Sequence, residues 1–178
     1  MDNLIEVMSR LELATDYDIF VSTSAPLREL EFFLNMHPDI ILDISMHATN
    51  SNTRNKLMPI NYKNPIEEVV SLVLSHENDA NLKRIVFTYL LFDGINDSDS
   101  DCARLIELFK NRNVFVELKE YNEIPSIKYK KTPSARINFI HDKLLANGVN
   151  CYIEKSIGID IAAGCGQLRA NYIESIGG

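Results

Sequence analysis

The chain has 178 residues, 46% apolar and 24% charged, which is enough for one domain with its own core and ordinary for a globular protein. Lys plus Arg is 18 and Asp plus Glu is 25, a net charge of −7. That is the wrong sign for a stand-alone nucleic-acid binder, whose affinity comes largely from phosphate contacts. No apolar run approaches the roughly 20 residues of a membrane helix. Met1-Asp2-Asn3 opens no signal peptide. Cys102, Cys151 and Cys165 are scattered, which fits a reducing cytoplasm and offers no CxxC-type metal site.

DNLIEVMSRLELA (2–14) places Leu4, Val7, Met8 and Leu11 at helical spacing, so the chain opens on a helix with no strand before it. DIFVS (18–22) reads as a short buried strand. PLRELEFFL (26–34) reads as a helix with Pro26 in its first turn and Leu27, Leu30 and Leu34 on one face. DIILDIS (39–45) is the next strand. NPIEEVVSLVLSHE (64–77) is its helix, with Asn64 as N-cap and Pro65 at the first position. KRIVFTYLLF (83–92) is nearly all apolar, as a buried parallel strand is. SDSDCARLIELFKN (98–111) is helical, with Ala103, Ile106 and Lys110 a turn apart and Leu105 and Phe109 beside them. VFVELKEY (114–121) is a fourth strand. TPSARINFIHDKLLANG (132–148) is a helix capped by Thr132, with Ile137, Ile140 and Leu144 on one face and Gly148 at its end. VNCYIEK (149–155) is the last strand.

Alternating strand and helix predicts an α/β fold of about four parallel strands with flanking helices plus a C-terminal strand. In barrels and doubly wound sheets, chemistry sits at the C-terminal strand ends. Here those ends carry Ser22-Thr23-Ser24, Ser45-Met46-His47, Asp93-Gly94 and Tyr121-Asn122. Each also has a plain role: Ser22 and Ser24 as helix caps, His47 as a turn histidine, Asn122 in an Asx-turn. Together they form a rim suited to a polar small molecule. IKYKKTPSAR (127–136) is the one basic stretch; it is either a nucleic-acid contact or a solvated loop. AAGCGQL (162–168) sets Cys165 between Gly164 and Gly166. This is either an ordinary turn or a loop in which a thiol must be reached.

VSTS (21–24), ISMHATNSNTRNKLMPIN (44–61), YLLFDGINDS (89–98), the Tyr121-Asn122 pair and AAGCGQL (162–168) occur in an order and spacing that resemble the C-terminal half of the radical-SAM RNA adenine methyltransferases of the RlmN and Cfr type. The resemblance runs from about Met1 to about Tyr172. It implies a single domain over 1–178, the C-terminal portion of a six-stranded partial (β/α) barrel, of which this chain supplies the third to sixth strands. It implies that Ser22, Ser45, Met46, His47 and Asn122 contact S-adenosylmethionine and that Cys165 carries the methyl group. In that family a second S-adenosylmethionine, cleaved at a [4Fe–4S] cluster, drives methylation of an adenine ring carbon, C2 or C8, in 23S ribosomal RNA; transfer RNA is a further substrate left open here. Adenine C–H is no nucleophile, so such chemistry needs cofactors.

The departures are equally specific. The family's cluster-binding cysteines lie in an N-terminal half, and neither Cys102 nor Cys151 matches a cluster position. The Gly-Glu-Pro segment and the family's second catalytic cysteine have no counterpart here. Ile157 and Ile159 stand where Arg and Asp are usual, Ala162 and Gly164 fit the pattern loosely, and Thr88 replaces an acidic residue. The expectation is therefore a portion inactive alone, completed by an N-terminal half or by a second copy. The alternative is a stand-alone relative that kept the fold and serves as a non-catalytic binding or regulatory protein. In either case the chain is expected to be cytoplasmic, without a membrane partner.

Overall fold

The structure is a computed structural model that describes residues 18–36, 40–79, 82–124 and 127–154, together with Glu6 and Arg10. The expected N-terminal helix, apart from those two positions, and the loop bearing Cys165 lie outside the described residues. Five strands, β1 (Ile19–Thr23), β2 (Ile40–Ser45), β3 (Leu82–Leu91), β4 (Phe115–Glu120) and β5 (Asn150–Glu154), form one sheet in the order β1-β2-β3-β4-β5. Every neighbouring pair is parallel. Strand order that follows chain order, with right-handed crossovers, puts all the connecting helices on one face. The result is an arc of a (β/α) barrel.

The crossovers are α1 (Leu27–Met36), then α2 (Ser51–Leu57), a 3₁₀ turn (Pro59–Tyr62) and α3 (Ile66–Ser75), then α4 (Asp99–Phe109), then α5 (Ser134–Ala146). Alternate strand residues such as Leu42, Ile44, Phe87, Tyr89, Val116 and Leu118 face these helices and are fully buried. Phe87 packs on Phe109 of α4 with ring centroids 4.7 Å apart. On α4 the core face is Cys102, Leu105 and Phe109: Leu105 and Phe109 belong to the apolar set read from the sequence, Ile106 packs beside them, and Ala103 and Lys110 are exposed. Ser98 and Asp101 close a reciprocal capping box at its start. β1 is less covered than expected of a short buried strand: its residues alternate between half-buried and exposed, and Phe20 is 54% exposed.

Two expected caps work differently. Asn64 does not cap α3. Its Oδ1 accepts the N–H of Leu27 at 2.8 Å and so caps α1 across the loop, while Asn61 Oδ1 accepts the N–H of Ile66 at the start of α3 at 2.9 Å. Proline precedes both α3 and α5 and leaves the position without a side-chain cap. Thr132 is thereby released to donate to Asp97 Oδ2 at 2.9 Å. Gly148 does end α5, at φ +77.

A Cβ at Gly148 would lie 2.7 Å from Asn111 Oδ1, whereas one at Gly94, φ +68, would meet nothing within 4 Å. Both G94A and G148A should lose about 1–2 kcal/mol from left-handed backbone alone. G148A should lose clearly more, because the contact with Asn111 adds to the strain. Urea unfolding of the two variants compares them directly, and equal losses would contradict the close approach.

Candidate functional site

The turn after β2 carries the rim's most constrained residue. His47 has φ +54, unusual for a residue with a side chain. The N–H groups of Met46 and His47 both donate to Thr88 O, at 3.0 and 3.2 Å. His47 O accepts from Asn96 Nδ2 at 2.8 Å. Its ring Nδ1 accepts the N–H of Leu90 at 3.1 Å, which assigns the proton of the neutral ring to Nε2. Burial, and then the positive charges of Arg54 and Lys119, push its pKa down to about 4 against the opposing effect of the Thr88 backbone bond. At neutral pH His47 is therefore an uncharged turn histidine that bonds backbone, and Nε2–H is the donor it can present. Asn96, 1% exposed, also donates to Leu90 O at 2.7 Å and accepts from Phe92 N at 2.7 Å, pinning the end of β3 to the same turn.

Arg54 anchors the neighbouring strand ends. It lies on α2, whose N-cap is Asn50, and is fully buried. Its Nε donates to Met46 O at 3.0 Å. One terminal nitrogen donates to Ser45 O at 2.8 Å and Ser24 O at 3.1 Å. The other donates to Asn61 Oδ1 at 3.2 Å and Asn64 O at 3.4 Å. Burial pulls its pKa down to about 10, still far above neutrality, and Glu67 partly offsets this. The NSNTRNKLMPIN segment thus folds into a short helix that carries the guanidinium and a 3₁₀ turn that gives it Asn61 Oδ1, while the remaining acceptors are backbone carbonyls of Ser24, Ser45, Met46 and Asn64.

The face of the sheet opposite the helices is polar. Ser22 Oγ donates to Asp43 Oδ2 at 2.7 Å. Thr88 Oγ1 lies 2.5 Å from Asp43 Oδ1 and 2.7 Å from Glu117 Oε2. Lys119 Nζ lies 3.0 Å from Glu117 and 2.7 Å from Glu154. Burial works against the Lys119 charge, but the bonds from Glu154 and Glu117 outweigh it and hold the ammonium above its ordinary range. The chain of contacts therefore crosses all five strands. Asp43, Thr88 and Glu117 are each buried, so every member depends on its neighbours for hydrogen bonding.

Of the residues expected in the site, Ser22 and Ser45 stand on this polar face, on adjacent strands, and His47 sits directly after β2. Asn122 lies past the last β3–β4 register pair, Leu91↔Glu120, farther along the rim. Met46 is different: its side chain is fully buried in the helix-side core and its backbone N–H and C=O are both bonded. It supports the rim from beneath. Cys165 lies outside the described residues. Arg54, Asn96, Asp43, Glu117 and Lys119 were not singled out from the sequence. The Arg and Asn lay inside quoted motif blocks, and the acidic and basic pair of VFVELKEY breaks an apolar strand, which was the available signal. In the basic stretch, Lys131 bonds Glu120 at 2.9 Å and Lys130 approaches Glu123 at 3.8 Å, so much of its charge is neutralised locally.

Among the described residues no group of His, Cys, Asp and Glu could hold a metal ion. Cys102 is buried under α4, and burial raises its thiol; burial pushes Cys151 up to about 12. These residues do not fit an iron–sulfur cluster, which needs grouped thiolates. The rim itself carries the Ser22 and Ser45 hydroxyls, the His47 imidazole and, past the end of β4, the Asn122 side chain. Among the described residues, no helix is long and apolar enough to cross a membrane.

No family model matches the chain. It is 35% identical over 184 residues to the probable dual-specificity RNA methyltransferase RlmN of Lachnospira eligens, covering 99% of this chain and 52% of that protein. A relative with the same description from Petrotoga mobilis is 33% identical over 156 residues, covering 88% of this chain and 44% of its own length. The chain thus spans about half the length of the curated relatives it matches. A radical SAM methyltransferase from Sphaerobacter thermophilus superposes with TM-score 0.77 at 32% identity, over 84% of this chain and 43% of that one. A domain of pyruvate-formate lyase-activating enzyme from Bacteroides vulgatus has TM-score 0.67 at 13% identity, over 86% of this chain and 90% of that one, a likeness of fold alone.

Replacing Thr88 by Val removes the hydroxyl between two buried carboxylates and should cost about 1–3 kcal/mol in urea unfolding; an unchanged midpoint would contradict the bridging contact. His47 provides a pH test. Its folded pKa, about 4, is below the ordinary 6.5, so the stability it contributes is fully present above the ordinary value and lost as pH falls toward the folded one. H47N tolerates the left-handed backbone. It should be less stable than the parent at pH 7, with the gap closing as pH falls to about 4; a pH-independent gap would sink the assignment.

Proposed function

We propose that this chain, a C-terminal region of the RlmN/Cfr type in sequence and fold, forms the cofactor rim and methyl-carrier portion of a radical-SAM enzyme that methylates adenine C2 or C8 in 23S ribosomal RNA. Transfer RNA is a second candidate substrate. The observation that carries this reading is the 35% identity across 99% of the chain to an RlmN relative, together with a polar strand-end rim at the matching motifs.

Ser22, Ser45 and His47 would hold S-adenosylmethionine from β1 and β2, with Asn122 closing the far side and Met46 packing beneath. When bound, that cofactor supplies the methyl group and the radical chemistry an unreactive adenine carbon requires. His47 contributes a neutral N–H donor without adding charge. Cys165, in its Gly-Cys-Gly segment, is the methyl carrier. The described residues do not fit a [4Fe–4S] cluster, so in this reading the cluster ligands come from an N-terminal half and the chain is inactive alone. Among the described residues β1 has a sheet neighbour on one side only. Its exposed Phe20, and a groove of about 130 Å³ lined by Val21, Leu30, Phe33 and Leu42, support an edge completed by further chain.

One observation favours a second reading, a non-catalytic binding or regulatory protein. The polar face spends its groups on one another, and Ser22 already donates to Asp43. Co-expression with the N-terminal half of the Lachnospira relative separates the two. Methyl-labelled S-adenosylmethionine should label RNA with the pair, not with this chain alone, and not with C165A in the pair. Label from the chain alone, or turnover by C165A, would overturn the proposal; no label from a correctly assembled pair would favour the non-catalytic reading.

A further inference from the structure

We propose that Arg54 is a positioning residue: it fixes the backbone of the β1 and β2 ends so that Ser22, Ser45 and His47 present one preformed cofactor edge. The inference rests on the cofactor reading of the rim. Three of its five acceptors are the carbonyls of Ser24, Ser45 and Met46, at 3.1, 2.8 and 3.0 Å, at or just past the ends of two adjacent strands. The other two, Asn61 Oδ1 and Asn64 O, tie the same guanidinium to the 3₁₀ turn and the entry to α3. None of these acceptors is a carboxylate.

That choice of acceptors separates positioning from plain stabilisation. Taking a guanidinium out of water costs several kcal/mol, and apolar packing stabilises a fold at least as well. What apolar packing cannot do is define the direction of three carbonyls at once. Arg is suited to it because its five N–H donors have a rigid planar fork, whereas Lys is a point charge on a flexible stem. Setting Ser45 O and Met46 O also sets the peptides on either side of Met46, and so the turn in which His47 adopts its left-handed backbone. Asn96 holds the following carbonyl, that of His47, at 2.8 Å. Three consecutive carbonyls at the end of β2 are therefore held by buried side chains from two different loops.

The test uses the full 178-residue chain co-expressed with the N-terminal half of the Lachnospira relative, as parent, R54Q and the milder R54K. Amide hydrogen exchange is read by residue, and S-adenosylmethionine binding by calorimetry. In R54Q, protection at Met46, His47 and Leu90 should fall about tenfold or more, the equivalent of one lost hydrogen bond, while Ile44, Val86 and Leu118 stay protected. Cofactor binding should weaken by a similar factor, with R54K intermediate in both readouts. Uniform loss of protection across the sheet in both variants would show a merely structural role and overturn the proposal, as would unchanged exchange at the rim. If R54Q does not fold, R54K carries the same comparison. If the assembled parent pair takes up no S-adenosylmethionine, the cofactor reading falls. The positioning claim would then fall with it as regards the ligand, while the exchange pattern still decides whether Arg54 sets the rim.

Discussion

A guanidinium buried among oxygen acceptors holds the strand ends together. Arg54 has no solvent exposure, and among the described residues its hydrogen bonds all go to carbonyl and amide oxygens. Such a group is tolerated because each donor finds a fixed acceptor, and charge-assisted hydrogen bonds are about twice as strong as neutral ones. The requirement runs outward from it. Asn61 must present Oδ1 inward, so its amide nitrogen turns to Asn55 Oδ1 at 2.7 Å. Ser51 begins α2 against Glu67, whose oxygens accept from its N–H at 2.8 Å and its hydroxyl at 2.5 Å. Burial disfavours the Glu67 charge, but these bonds prevail and its carboxyl is held below the usual range. The Asn residues of this stretch divide the work: Asn61 accepts from the buried cation, Asn55 holds Asn61, Asn50 caps α2 and Asn64 caps α1.

The sheet has two chemistries on its two faces. The helix side is close to a pure hydrocarbon interior, where position along the strand matters less than volume. The opposite side is a ladder of polar contacts, where each residue's identity is set by its neighbours. Thr88 is short enough to fit between Asp43 and Glu117, and a longer acidic side chain there would add a third buried carboxylate to two. A threonine at 88 is thus coherent with carboxyl groups at 43 and 117. Lys119, gripped between Glu117 and Glu154, ends the ladder at β5.

The sequence made the order of elements readable because parallel βα units leave a strong alternation of short apolar runs and amphipathic segments. All five strands fall where KRIVFTYLLF and its counterparts place them, within a residue or so at either end. Rotation and capping were less readable. The buried face of α4 takes in Cys102 and leaves Ala103 outside, and Asn64 caps α1 through a contact 37 positions away in sequence. Local propensity knows neither fact. The strand-end residues were legible as polar positions, but their division of labour was not. Met46 and His47 are adjacent in sequence, yet one is entirely in the core and the other faces the rim. Met46 continues the core-facing alternation of Leu42 and Ile44; what composition does not mark is the left-handed backbone that begins the turn at 47.

The charge state of His47 connects the two anchors. Arg54 lies beneath its turn and Lys119 on the neighbouring face, and both oppose a further positive charge. A protonated imidazole would lose the acceptor that binds Leu90 N–H, and the turn with it. Holding the ring neutral keeps both the hydrogen bond and the Nε2–H donor. For the proposed cofactor, whose sulfonium is itself a cation, a neutral donor costs no added repulsion. Asp43 and Glu117 on the adjoining face are already ordered by Ser22, Thr88 and Lys119. A rim of fixed carbonyls, one uncharged imidazole and pre-bonded carboxylates has little reorganising left to do when a ligand arrives, and it is the backbone anchors, more than the ligand-facing side chains, that secure this.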